Sequence, residues 1–304
     1  MSSGGMIVGL LNSMDSLSHT FVFQGYQNLV STYKPAIEGL VLLAVIVFGY
    51  GSLTGWISLS LQEVSKRALL FGFILTFALN WGHFSEFVYS LFTNAPNEIA
   101  SHLVESLPGN PFGGVGGVNE ALQEAWYDLV TFYDAIWDRG SVSSPMPYLW
   151  ACLLFLIGLI LLAIALIELI IAKFGLAIYL VLAPLIIPML LFKATKEVIF
   201  DGWLRHLVGF AFIPIFITSA LTLGLMLMAE SDNAIKAAIA ADQLTITAIA
   251  PHLISSLICI GLLLKATAMA ASTAGGFSTA SASWIGHKAK NIGGWTVKKL
   301  FGRK

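Results

Sequence analysis

The sequence predicts an all-α fold: a polytopic helical membrane protein with about five transmembrane helices plus a proline-broken helix that is re-entrant or tilted. Three observations lead there. Of 304 residues, 57% are hydrophobic and 11% charged, less than half the roughly 25% charge of an ordinary soluble chain. The mean hydropathy is +0.82, so there is too little polar material to clothe a soluble domain of this size, whereas lipid tolerates an apolar surface. Several apolar runs also reach the length of about 20 residues that a helix needs to cross the hydrocarbon. Finally, the run from Leu153 to Ile167 shows no alternation of polar and apolar residues, which makes membrane strands a poor alternative.

Residues 1–35 are mildly apolar and read as a periplasmic amphipathic region, an interfacial helix or a short helical pair. They have no basic start before the apolar residues, so a cleaved signal peptide is not expected. Residues 36–91 hold the first two spans, 36–57 and 68–91, joined by a short loop ending in Lys66 and Arg67. Residues 92–147 form the largest extramembrane piece. Its centre, LPGNPFGGVGG, reads as a flexible turn. After it, Leu122, Trp126, Leu129, Phe132, Tyr133, Ile136 and Trp137 fall broadly on one face of an amphipathic helix over 119–138. That helix lies on the outer leaflet or packs on a partner. The C-terminal membrane domain, 148–270, contains spans 148–172, 206–229 and 246–270. It also contains the marginal run 175–192, interrupted by Pro184 and Pro188. Residues 271–304 form a basic tail whose Trp284, Trp295, Leu300 and Phe301 suit a cytoplasmic leaflet, although contact with nucleic acid is equally compatible.

Charge orients these elements. Lys66 and Arg67 place the first loop in the cytoplasm, and the acidic 92–147 loop then lies outside. Six full crossings would put the basic tail outside. If 175–192 dips in from the cytoplasmic side instead, thirteen of the sixteen Lys and Arg residues lie inside, and only Lys34, Arg139 and Lys236 remain outside. The expected topology is therefore five crossings, N-terminus periplasmic and C-terminus cytoplasmic, with six crossings and an atypical tail as the alternative.

Catalytic chemistry finds little support. No phosphate-loop motif accompanies the glycines at 113–117, and HExxH is absent. The HxxE spacings His83/Glu86 and His102/Glu105 lack a third ligand. No serine, histidine and acid set has motif context. We expect no enzyme, metal or cofactor. Cys152 and Cys259 sit inside apolar runs and read as plain buried thiols. Glu38, Asn80, His83, Glu86, Glu168, His206, His252 and Lys265 fall within spans, where burial is costly. They serve either helix contacts or a substrate or proton path. Glu168 lies one turn from the inner end of its span, near Lys173.

Local stretches resemble the polytopic inner-membrane subunit of bacterial type IV secretion systems, the TrbL-like family. One is DAIWDRG followed by PYLWACLLF. The other is IELIIAKFGLAIYLVLAPLIIPMLLFKATKEVIFDGWLRHLVGFAF at 167–212. Members of the family have an apolar segment with a proline near its middle, then a connector with an aromatic and a tryptophan. Here those are Pro184, Phe192, Phe200 and Trp203. The resemblance implies a non-enzymatic part of a conjugation or effector-export machine, contributing to a platform or channel, to transfer of DNA or protein and to pilus assembly. It implies as partners other secretion subunits (the pilus subunit and the ATPases among them), the translocated substrate, membrane lipids and further copies in a homo-oligomer. It marks Trp203 as the residue that fixes the broken helix against the next span, with Gly202 before it permitting close approach or a sharp turn. The alternative is a proton- or ion-coupled secondary transporter, which the broken helix suits, but no internal repeat supports it. Trp126 and Trp137 are expected to pack on a partner or a neighbouring copy.

Overall fold

The structure is a computed structural model that describes residues 5–55, 60–105, 118–141, 145–241 and 245–273. The helices are α1 (Met6–Leu53), α2 (Leu61–Leu79), α3 (Ser90–Glu105), α4 (Val118–Trp137), α5 (Met146–Val181), α6 (Asp201–Ala240) and α7 (Ile246–Thr273). Short helical turns fill the two breaks, after Leu79 and after Val181. No β-sheet occurs among the described residues. Four stretches, Met6–Leu53, Met146–Val181, Lys193–Ala238 and Ile246–Thr273, are long and apolar enough to cross a membrane. A fifth is the bent pair Leu61–Leu79 and Trp81–Leu103, if it counts as one span. These overlap the five segments read from hydropathy, and the molecule is an all-α polytopic membrane protein.

Three boundaries differ from the sequence reading. Residues 1–35 and 36–57 are not separate elements, because α1 runs unbroken through Pro35. Proline inside a membrane helix is tolerated where neighbours cover the freed backbone. Second, the span at 68–91 is not straight. Asn80 adopts an extended backbone (φ −120, ψ 107), and the helices on either side meet at 92°. The Asn80 side chain accepts from the His83 amide at 3.4 Å, which starts the new helix. A π-turn, Phe84–Tyr89, follows before α3. Third, the expected break after span 148–172 is absent. Lys173 and Phe174 are helical, and α5 ends only at Val181.

The proline-broken element is present, shifted to 182–192. Pro184 and Pro188 each start a short turn, Ala183–Ile186 and the 3₁₀ turn Ile187–Leu191. Proline suits such starts because its missing N–H is one a helix leaves unpaired anyway. A π-turn, Lys196–Phe200, leads into α6.

The chain divides into two compact units. The described residues of Gly9–Asn97 and Ile170–Ala211 form one, whose core includes Val22, Tyr26, Ile74, Phe84, Leu180, Trp203 and Leu207. Those of Met1–Val8, Glu98–Leu169 and Phe212–Lys304 form the other, with Ile136, Ala151, Leu154, Ile235 and Ile249 at a buried centre. The expected turn at 107–117 and the basic tail from Ala274 onward lie outside the described residues.

Candidate functional site

In the first unit, two helix breaks are held by aromatic side chains. A helix that stops leaves carbonyls of its last turn without intrahelical donors. At the end of α2, the Tyr26 hydroxyl donates to the Phe77 carbonyl at 2.8 Å. Tyr26 stacks on Phe84 at 4.7 Å, and Trp81 packs edge-on against Phe23 and Tyr26. At the end of α5, the Trp203 indole N–H donates to the Tyr179 carbonyl at 2.8 Å. Trp203 is buried, and its ring lies against Phe200. One side chain at the start of α6 thus touches the last turn before the break and the turn after it. Tyr179 in turn packs its ring on His206 and Phe210.

Gly202 does not supply the close approach expected of it. A Cβ there would meet nothing within 4 Å, and its backbone is helical. Gly175 does: a Cβ would lie 2.3 Å from the Phe210 ring. Pro184 is buried. Glu168 and Lys173 do not pair. Five residues apart on one helix, they point to different sides. Lys173 instead forms a salt bridge with Asp15 at 2.7 Å. A 2.7 Å pair cannot straddle a hydrocarbon core of about 30 Å. A periplasmic 1–35 and a cytoplasmic Lys173 therefore cannot both hold.

Glu168 belongs to the other unit, is 4% exposed, and its Oε2 finds no hydrogen-bond partner among the described residues. Also in that unit, α4 docks on its own chain. Its apolar face buries Leu122 and Ile136 fully. Trp126 packs edge-on to Phe155, and Trp137 lies against Tyr133 and Tyr148. Both tryptophans therefore find contacts within the chain, although Trp137 remains 39% exposed. Gly158 on α5 permits this approach, since a Cβ there would lie 2.4 Å from Leu129. Gln123 on α4 accepts from the Ile7 amide at 2.8 Å and so caps α1 from a distant part of the sequence.

Between α4, α5, α6 and α7 lies a cavity of about 60 Å³, roomy enough for several waters. Asp128, Asp232 and His252 are its charged or titratable lining groups. His252 Nδ1 and Asp232 Oδ1 are 2.5 Å apart. The Lys236 ammonium lies over the Phe132 ring at 5.4 Å. Burial pushes the Asp128 carboxyl up; Lys236 draws it back, and Asp232 adds to the rise. Burial and then Asp128 raise Glu124 as well. The sequence marks His252 as a polar residue in a span, but nothing in it points to Asp232, which lies twenty positions away. Only the packing of α6 on α7 joins them.

No group of three His, Cys, Asp or Glu side chains fit to hold a metal occurs among the described residues. His83 and Glu86 are both exposed on the helix after Asn80. Of the two thiols expected to be buried, Cys259 is buried and Cys152 is exposed. Ala151 and Leu154 face the core, and Cys152 points away from that stripe.

Apolar helices, two protein-covered breaks and a charged cavity between helices define a multi-pass membrane protein. The family profile of the TrbL/VirB6 plasmid conjugal transfer protein matches residues 41–266. The chain belongs to that family. That family is one of conjugal transfer proteins and not a known enzyme family, and family and apolar helices together point to the inner membrane. Two relatives in Rickettsia are similar to it. One is Uncharacterized protein RP107 of Rickettsia prowazekii (strain Madrid E), 23% identical over 69% of this chain and 24% of its own length. The other is Uncharacterized protein RT0029 of Rickettsia typhi (strain ATCC VR-144 / Wilmington), 24% identical over the same shares. The chain spans about a quarter of the length of these curated relatives.

Proposed function

We propose that this protein is a non-enzymatic inner-membrane component of a type IV secretion machine. It forms part of the platform or channel and contributes to passage of DNA or protein and to pilus assembly. Its C-terminal tail lies in the cytoplasm. It associates with further copies of itself, with the pilus subunit and with the ATPases that supply energy. The observation that carries this reading is the family match across the membrane segments, 41–266.

Trp203 is the positioning residue of the assembly. Its bond to Tyr179 and contact with Phe200 hold the angle between the broken element and α6, and that angle sets the surface offered to other subunits. The test is expression of Trp203→Ala at normal level in cells lacking the native gene. Membrane insertion should persist, while substrate transfer and crosslinking to other subunits fall. Normal transfer and normal crosslinking together would reduce Trp203 to an ordinary interfacial tryptophan. Copurification tests the wider reading: this protein should come out of mild detergent with a large complex, whereas a secondary transporter would be stable and complete alone.

A further inference from the structure

Residues 81–97 follow the bend at Asn80 as one helical run, from Trp81 through the π-turn Phe84–Tyr89 into α3. Side chains four apart on a helix share a side, and this run has three sides of different chemistry. Phe84, Val88, Phe92 and Pro96 mark the first. Phe84 is buried in the core of the first unit, Val88 and Phe92 pack against that core, and Pro96 is buried. Glu86, Ser90 and Asn94 mark the second side, with Glu86 and Asn94 exposed. Phe87 and Leu91 mark the third and are 57% and 59% exposed. Neighbouring large apolar groups are costly to leave in water, and the polar row beside them would be costly to sink in hydrocarbon. The run therefore suits a boundary between the two.

The bend says how the run meets that boundary. It leaves α2 at 92°, and the angle is held: Asn80 is extended, the Tyr26 hydroxyl takes the Phe77 carbonyl, and Trp81 packs on Tyr26. Within the bent pair, α2 is the part that gains depth. Its 19 residues rise about 28 Å, close to the roughly 30 Å of hydrocarbon, and its charged Glu63, Lys66 and Arg67 all lie in its first two turns. A helix at right angles to it adds no depth and runs along the membrane. Trp81 and Tyr89, both half-buried, bring amphipathic rings to the run, as the headgroup level favours. We infer that residues 81–97 form an in-plane helix at the membrane surface, with Phe87 and Leu91 entering the acyl region and Glu86, Ser90 and Asn94 turned to headgroups and water. The partner is the lipid surface itself. The run has one carboxylate and no Lys or Arg, so apolar burial holds it and anionic headgroups add nothing. This placement rests on the membrane class of the chain and is independent of the secretion role.

The test uses the full chain, with Cys152 and Cys259 replaced by Ser, reconstituted in phosphatidylcholine vesicles. Phe87→Cys and Leu91→Cys, made singly, carry a fluorophore, and quenchers sit at known depths on the lipid acyl chains. The expected reading is a loss of fluorescence that is greatest with the shallow quencher and similar at both positions. Glu86→Cys, Asn94→Cys and Asn97→Cys should all react with an impermeant thiol reagent from one side of the vesicle. Adding phosphatidylglycerol should leave the quenching unchanged. All five side chains are exposed, so the fold should survive each change, and the apolar and polar sets give independent readings. Three results would overturn the proposal. Quenching that moves to deeper positions from 87 to 91, with reagent access lost at 97, would make the run a crossing. No lipid quenching at either apolar position would mean that protein, such as a second copy, covers them. Quenching that requires phosphatidylglycerol would replace apolar burial by charge.

Discussion

Trp203 is bonded through one N–H and packed through one ring, and the two contributions can be separated. Trp203→Phe keeps an aromatic ring against Phe200 but leaves the Tyr179 carbonyl without its donor. An unpaired buried acceptor costs about 1–3 kcal/mol. Trp203→Ala also opens a cavity in the core, with a cost of about 3–5 kcal/mol. Thermal unfolding in detergent should rank the three proteins wild type, Phe, Ala, and a Phe variant as unstable as Ala would deny the bond any separate role. The two glycines of the same region should behave oppositely. Gly202→Ala meets open space in a helix and should be neutral or mildly stabilising. Gly175→Ala must displace the Phe210 ring and should lower the melting temperature. Tryptophan in the connector was legible in the sequence as an interfacial residue. Its acceptor was not, because a carbonyl twenty-four residues earlier carries no sequence signal.

Among the elements, α4 departs most from what its sequence announces. Its amphipathic face was readable from the spacing of Leu122, Leu129 and Ile136, but the surface receiving that face was not. The partner turned out to be this chain's own α5, through Gly158. Replacing Gly158 by Val should push α4 away and cost about 1–3 kcal/mol through overpacking. Adding Leu129→Ala should recover part of the loss, and a double-mutant cycle with no coupling would mean that the two residues do not touch. Docking of α4 should also respond to acid. Burial raises Asp128 and Glu124 in the folded chain, so the folded form holds protons more tightly than the unfolded one. The contribution is then fully present below the ordinary carboxylate range and is lost as pH rises through the raised values. Melting temperature should fall over that window, and less steeply in Asp128→Asn; an identical slope in the variant would show that Asp128 does not contribute. Asp128 sits near the surface, so the effect should be small.

For the whole molecule, the Asp15–Lys173 pair restricts topology more sharply than counting basic residues does. The start of α1 and Lys173 share one side of the membrane or one depth within it. Cysteines placed at Ser13 and Phe174, both exposed, should react together with an impermeant reagent or be protected together in intact cells. Opposite behaviour would separate the pair and restore a periplasmic start. The sequence by itself determined the membrane class, the amphipathic α4 and an irregular element around Pro184 and Pro188. Each of these follows from composition, periodicity or the chemistry of proline, which are local properties. Tertiary structure decided the rest. It fused 1–35 with 36–57 into one helix, bent the second span at Asn80, carried α5 past Lys173 and chose Asp15 over Glu168 as its partner. It also assembled Asp128, Asp232 and His252 around one cavity from three helices. Those outcomes depend on which distant backbone and side-chain groups satisfy one another once helices pack, and pairing at a distance is set by the fold rather than by neighbouring residues.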